Sequence, residues 1–338
     1  MSTSVPHLLE LPVLVITLVA ISAIVVWLMI RHGALDHPVA RSSHVHPTPK
    51  GGGVGIAAAY AAGTLWLMPA HHLAVPLLAA LALSAFSYAD DVRPRAATLK
   101  LVVQVAASLA VVLAGHQIAA VAWHGRVLHP PLWCALPLTL AWLLFVTNAV
   151  NFMDGLNGLA SGGVFIAGGA VAILSPSLRS ESVPLLAGIA GFLPFNFPRA
   201  RIFMGDAGSQ LCGFVVALLA VRAVSIPGLA WIIPLALLPM LADVALTLIR
   251  RFATGAPLMQ AHRSHLYQVA HRAGTGAPAI TMVYWMMTAM GAACGVGAGR
   301  PESGTPQICL YAALACMPFL IWMAYVIART RKADITRW

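Results

Sequence analysis

Eleven stretches of roughly 20 apolar residues, each almost free of charge, constrain this chain more than any other feature. They lie near residues 8–30, 53–69, 73–89, 100–121, 132–150, 157–174, 183–197, 208–226, 228–249, 278–297 and 307–328. About 20 apolar residues are what a helix needs to cross a bilayer, where only a helix or a closed barrel satisfies its own backbone. Soluble chains carry about a quarter charged residues, whereas here 9% of 338 residues are charged and 60% hydrophobic. The expectation is an all-α polytopic membrane protein with about eleven transmembrane helices, one integral-membrane domain over residues 1–338. That composition excludes a cytosolic enzyme, a secreted domain, a disordered tail and a nucleic-acid binder. The first run is longer than a signal's apolar region and lacks a basic leader, so it reads as a helix. Five cysteines scattered through apolar runs, without a CxxC, read as small core residues.

Basic residues set the orientation. One set of loops holds Arg31, Arg41, Lys50, Arg93, Arg95, Lys100, Arg199, Arg201, Arg250, Arg251, Arg263, Arg272, Arg329, Arg331, Lys332 and Arg337, sixteen of the chain's 20 Lys and Arg. Arg126, Arg179, Arg222 and Arg300 lie toward the opposite side. The net charge of +10 therefore reads as basic cytoplasmic loops, with the amino terminus outside and the carboxyl terminus in the cytoplasm. An odd number of spans follows, in agreement with eleven.

Only ten acids exist. Glu10, Glu181 and Glu302 fall outside. Asp36, Asp90, Asp91, Asp154 and Asp206 fall in cytoplasmic loops or helix ends, and Asp243 lies inside an apolar run. Carboxylates on one face suit an interfacial site better than a transport pathway, which places ionisable groups near mid-bilayer.

Four segments surround these acids with polar chemistry. Arg41-Ser42-Ser43-His44-Val45-His46-Pro47-Thr48-Pro49-Lys50 followed by Gly51-Gly52-Gly53 offers donors and close backbone approach to an anion; an ordinary glycine-rich loop entering a helix is the alternative. Asp90-Asp91 repel unless a cation or arginine sits between them. A divalent metal is the economical explanation, and pairing with Arg93 and Arg95 the other. Asn148, Asn151, Asp154 and Asn157 interrupt about forty apolar residues with hard oxygen donors of the kind Mg²⁺ takes. A capping turn accounts for Asn157-Gly158 alone. In Asn196-Phe197-Pro198-Arg199-Ala200-Arg201-Ile202-Phe203-Met204-Gly205-Asp206-Ala207-Gly208-Ser209, Asp206 stands at a helix start as a metal ligand or a simple N-cap.

A fifth segment, His262-Arg263-Ser264-His265-Leu266-Tyr267-Gln268, sets two histidines three apart around an arginine. No cysteine or neighbouring carboxylate completes a zinc site, so histidines and arginine together suit phosphate oxygens.

These five segments, in this order, resemble the polyprenyl-phosphate N-acetylhexosamine-1-phosphate transferase family. The ordered set NxxNFMDGxxGLA, IFMGDAGS and HRxHxYQ carries the resemblance, which spans residues 41 to 268. It implies catalytic roles for Asp90, Asp91, Asp154, His262, Arg263 and His265, and substrate contacts for Lys50, Lys100, Asn148 and Asn196. It also implies a Mg²⁺ site (Mn²⁺ as the alternative ion) on Asp206 and Asn151, and Lys100 with Gln104 matches the opening of the family's next helix. The partners implied are a polyprenyl phosphate lipid, a UDP-N-acetylhexosamine and the membrane, with no nucleic acid; a homodimer is compatible.

Two places depart from the pattern of this family. His-Arg-Ser-His stands where the muramyl-pentapeptide enzymes of peptidoglycan synthesis have a triple histidine, and Asn157 stands where many relatives carry aspartate. HRSHLYQ, with Pro239-Met240-Leu241-Ala242-Asp243 followed by Arg250-Arg251, looks most like the O-antigen initiating branch. The implied activity is Mg²⁺-dependent transfer of sugar 1-phosphate to polyprenyl phosphate with release of UMP, on the cytoplasmic face of a bacterial inner membrane. A muramyl-pentapeptide transferase, or a transporter or flippase of lipid-linked solutes, is the rival reading.

Overall fold

The computed structural model describes residues 10–36, 47–67, 74–123, 126–257, 260 and 262–333. Among them run α1 (Glu10–His32), α2 (Gly53–Leu67), α3 (Ala74–Val92), α4 (Ala97–Leu113), α5 (Leu132–Phe152), α6 (Leu159–Leu174), α7 (Arg179–Asn196), α8 (Gly205–Ala223), α9 (Ile232–Ala253), α10 (Leu266–Arg272), α11 (Ala277–Gly299) and α12 (Thr305–Lys332). Each apolar run in the sequence coincides with one of these helices, and α10 is additional. α1, α3, α5, α8, α9, α11 and α12 are long and apolar enough to cross a membrane. The apolar α2, α4 and α6 are shorter, at 15, 17 and 16 residues. The protein is an all-α polytopic membrane protein.

Its surface shows the same thing from outside. Ile16, Leu113, Ile173 and Phe252 stand exposed on helix flanks, which a soluble monomer avoids in contiguous patches. In lipid, burying apolar surface gives helices little reason to associate, so close packing and hydrogen bonds hold the bundle. α8 is its axis: every residue from Ala207 to Val221 is buried. It packs against α2, α3, α5 and α6. Small residues permit this, and a Cβ on Gly213 would stand 2.9 Å from the Thr147 backbone of α5.

One run ends earlier than its hydropathy suggests. The apolar stretch 100–121 yields a helix only to Leu113, because Gly115 takes φ +93. Its N–H bonds Val112 O and the His116 N–H bonds Val111 O, the paired closure of a Schellman motif. Beyond it the chain forms a two-stranded antiparallel hairpin, β3 (Val121–Trp123) with β4 (Arg126–Leu128). A smaller pairing joins β1 (Leu35–Asp36) to β2 (Thr48–Pro49), Leu35 opposite Pro49.

The helix ends separate by chemistry. At one end Asp36, Lys50, Asp91, Lys100, Asp154, Asp206 and Arg263 surround a single cavity. At the other, Arg126, Trp231 and Arg300 meet around the hairpin, Trp123 packs edge-on to Trp231, and Glu181 pairs with Arg222 at 2.9 Å.

Candidate active site

The site is built around the N-terminus of α8. Gly205 precedes Asp206 with φ +73, a conformation that favours glycine. The first turn of a helix carries unpaired N–H groups and a partial positive charge, which suits carboxylates. Asp91, from the end of α3, takes that place: its Oδ2 accepts the N–H of Asp206 at 2.8 Å and that of Ala207 at 3.4 Å.

Its neighbour Asp90 turns elsewhere. Asp90 Oδ1 accepts the Arg95 backbone N–H at 2.7 Å, and Oδ2 lies 3.2 Å from Lys100 Nζ. Lys100, in the first turn of α4, also donates to Asp206 Oδ2. The repulsion expected of adjacent aspartates is thus resolved by divergence: one carboxylate faces the α8 terminus and the other a lysine. The guanidinium of Arg95 lies 5.4 Å from the Phe86 ring instead of bridging the pair.

From the end of α5, Asn151 donates to Asp206 Oδ1 at 2.9 Å and to Ser209 Oγ at 2.8 Å. It orients the carboxylate. One turn earlier Asn148 exchanges hydrogen bonds with Gln104 at 2.8 and 3.1 Å, and Gln104 also donates to Gln210 Oε1 at 2.8 Å. Asp154, in the turn after α5, is half-buried on the same cavity. Burial pushes its carboxyl well above the usual carboxylate range, and the charges of Asp206 and Asp91 push it further. Three scarce carboxylates from three distant stretches therefore converge.

The glycine run after Lys50 does something other than cradle an anion. Gly52 N–H donates to Phe203 O and Gly53 N–H to Met204 O, both at 2.9 Å. These donors are spent on the segment that leads into Asp206, and a Cβ on Gly53 would collide with the Gly208 backbone. The glycines bring two chain segments together. Lys50 itself pairs with Asp36 at 2.9 Å on the cavity wall. The upstream donors Arg41, Ser42, Ser43, His44 and His46 lie outside the described residues.

Asn196 lines the same cavity. Its Oδ1 accepts the Gly158 N–H at 2.6 Å and its Nδ2 donates to Ile202 O at 2.9 Å. Each end of the amide holds one backbone group, so it fixes two loops where they border the cavity. Asn157 likewise gives its side-chain amide to Pro198 O.

The loop before α10 closes the cavity. The His262 and His265 rings lie with centres 4.9 Å apart, tilted by 35°, His262 Nδ1 pairs with Ser264 Oγ at 2.9 Å, and Arg263 lines the same cavity. Burial lowers the His262 imidazole to about 4, with His265, Arg251 and Arg250 adding to the effect. Tyr267 donates its hydroxyl to Phe152 O at 2.9 Å, and a Cβ on Gly155 would strike that hydroxyl. Burial raises the Tyr267 phenol, so it stays a neutral donor. Sequence reasoning placed neither Tyr267 nor Asp243 in the site set. A lone aspartate in the apolar stretch of α9 was the available signal, since buried charges occur only with partners.

The cavity has a volume of about 690 Å³ and is open at the helix ends. Asp90 is absent from its lining, behind Lys100. Among the described residues no three His, Cys, Asp or Glu side chains close around one point at metal-ligand distance. Mg²⁺ does not need that: it takes one or two carboxylates and fills its shell with water and phosphate. Asp91, Asn151, Asp154 and Asp206 bring hard oxygen donors to one cavity, so the donor set fits such an ion.

A family model described as glycosyl transferase family 4 matches residues 73–224. The chain is 30% identical over 305 residues to the decaprenyl-phosphate N-acetylglucosaminephosphotransferase of Mycolicibacterium smegmatis, covering 72% of this chain and 71% of that one. It is 29% identical over 263 residues to a probable undecaprenyl-phosphate N-acetylglucosaminyl 1-phosphate transferase of Bacillus subtilis, covering 75% and 74%. To the phospho-N-acetylmuramoyl-pentapeptide-transferase of Halalkalibacterium halodurans the likeness is 40% over 96 residues, 27% of this chain and 30% of that one. With its helical frame and its converging carboxylates, the chain belongs to glycosyl transferase family 4, the family of polyprenyl-phosphate N-acetylhexosamine-1-phosphate transferases.

Proposed function

We propose that this protein transfers the sugar 1-phosphate of a UDP-N-acetylhexosamine to a polyprenyl phosphate, releasing UMP. The carrying observation is the meeting of Asp91, Asp154 and Asp206 with Lys100 in one cavity at the helix ends. Such a place lies where a lipid phosphate, tethered by its apolar tail, is confined. The basic-loop bias favours the cytoplasmic face of a bacterial inner membrane, with α10 lying outside the bilayer and the other eleven helices crossing it.

In the reaction a lipid-phosphate oxygen forms a bond to the β-phosphorus while the bond to UMP breaks, and UMP keeps the electron pair. Attacking and leaving groups are both anionic, so charge is the first obstacle. Lys100 supplies one positive charge beside Asp206, and Arg263 another on the cavity lining. Asn151 holds the Asp206 carboxylate in place. Asp206 with Asn151 beside it, and Asp154 on the same cavity, would hold Mg²⁺, or Mn²⁺ in its stead, which when bound draws charge from a diphosphate. No general base is required, because a phosphomonoester's second pKa is about 6 and the nucleophile is already ionised. Asp91 orders the α8 terminus, and Asp90 holds Lys100.

HRSHLYQ supports an initiating enzyme of O-antigen or related surface polysaccharide. Likeness to muramyl-pentapeptide transferases extends over 96 to 101 residues, under a third of this chain. The test is purified protein with Mg²⁺, undecaprenyl phosphate and a panel of UDP-sugars, scored by UMP. UMP with a UDP-N-acetylhexosamine is the expected result. Release only with the pentapeptide nucleotide would favour the peptidoglycan enzyme, and no release with any sugar a transporter.

A further inference from the structure

Asp243 is a buried charge to which the reaction above gives no part. It is 1% exposed inside α9. Its Oδ1 accepts the Leu266 N–H at 2.7 Å, and its Oδ2 accepts the Tyr267 N–H at 3.1 Å and the Tyr284 hydroxyl at 2.6 Å. One carboxylate thus binds the start of α10 to α9 and α11.

It also faces a ring. His265 Nδ1 lies 3.5 Å from Asp243 Oδ1, in a side chain 3% exposed, and that nitrogen has no hydrogen-bond partner. A carboxylate only accepts, so a hydrogen on Nδ1 would join the two, whereas the Gln268 backbone N–H, which meets the His265 side chain at the start of α10, calls for a bare nitrogen. With the hydrogen on Nδ1, Nε2 is the nitrogen left for the cavity that His265 lines. His262 has no such backing: its Nδ1 meets the Ser264 hydroxyl instead.

We propose that Asp243 is a positioning residue acting through His265: it sets the ring's orientation and its Nδ1–H tautomer, so that Nε2 is presented to the sugar nucleotide. A second group that fixes a histidine's tautomer is a common way to ready it for chemistry. The assignment rests on the cavity being the sugar-nucleotide site.

The test uses the full-length chain, labelled with [¹⁵N]histidine in detergent micelles, with the His265 signals identified by their loss in H265Q. The wild type is expected to show the Nδ1–H form, and D243N to lose it. An Nε2–H ring in the wild type overturns the proposal, and that measurement needs no variant of Asp243 to fold. In turnover, D243N is expected to lower kcat ten- to a hundredfold, as second-layer changes commonly do, with KM for the polyprenyl phosphate unchanged and D243E recovering part of the loss. In the H265Q background the same change is expected to cost less than threefold. Equal losses in both backgrounds would assign Asp243 to fold support alone and overturn the proposal. If no UDP-sugar yields UMP, the proposed function fails while the spectrum still decides the role of Asp243.

Discussion

The Asp91 carboxylate accepts the backbone N–H of Asp206 at 2.8 Å, joining the end of α3 to the start of α8 across 115 residues of chain. An anion at a helix N-terminus contributes roughly 0.3–1 kcal/mol, so the link is worth more to the site than to the fold. D91N keeps an acceptor but loses the charge. It is expected to lower kcat more than tenfold while changing unfolding stability by about 1 kcal/mol or less, read from UMP release and from thermal unfolding in detergent.

Asp90 gives the test of whether any base is needed. D90N is expected to cost more than tenfold in turnover, because Lys100 loses its partner at 3.2 Å. The alkaline limb of the pH–rate profile should stay where it is. Recovery of the variant by raised pH alone would make Asp90 the base.

Lys100 and a divalent cation compete for the same carboxylate. With K100Q the positive charge beside Asp206 is gone, so half-maximal activity should fall at a lower Mg²⁺ concentration even as the maximal rate drops at least tenfold. A Mg²⁺ requirement that rises instead would place the ion away from Asp206.

His262 predicts a pH dependence of stability. Its imidazole titrates near 4 in the folded protein and near 6.5 when unfolded. Between those values the unfolded chain binds a proton that the folded one refuses, so this contribution is complete above about pH 6.5 and is lost as pH falls toward 4. H262Q should flatten the wild-type slope across that window. Parallel slopes for both proteins would show that other groups cause it.

The glycine run tests packing against anion binding. Adding a methyl at Gly53 meets the Gly208 backbone, and overpacking of this kind costs about 1–3 kcal/mol. G53A should lower thermal stability by that amount and loosen the approach of α2 to α8. A variant of wild-type stability with weakened donor binding would restore the anion-cradle reading.

The all-helical, membrane-embedded character and the crowding of acids at one end are legible in the residue order, because hydropathy and charge act locally and additively along a chain. The motif around Asp154 and that around Asp206 are equally visible as polar interruptions of apolar runs. What each polar group faces is a different matter, since it depends on neighbours far away in sequence. Only the packed bundle separates Asp90 from Asp91, spends Asn196 on two backbone loops, and turns Gly52 and Gly53 toward Phe203 and Met204. Gly115 ended α4 inside an apolar stretch by a backbone angle that hydropathy does not encode. Asp243 shows the division most plainly: its burial cost was readable from one charge in an apolar helix, but the two backbone amides, the phenol and the imidazole that surround it come from α10 and α11, and tertiary contact alone could supply them.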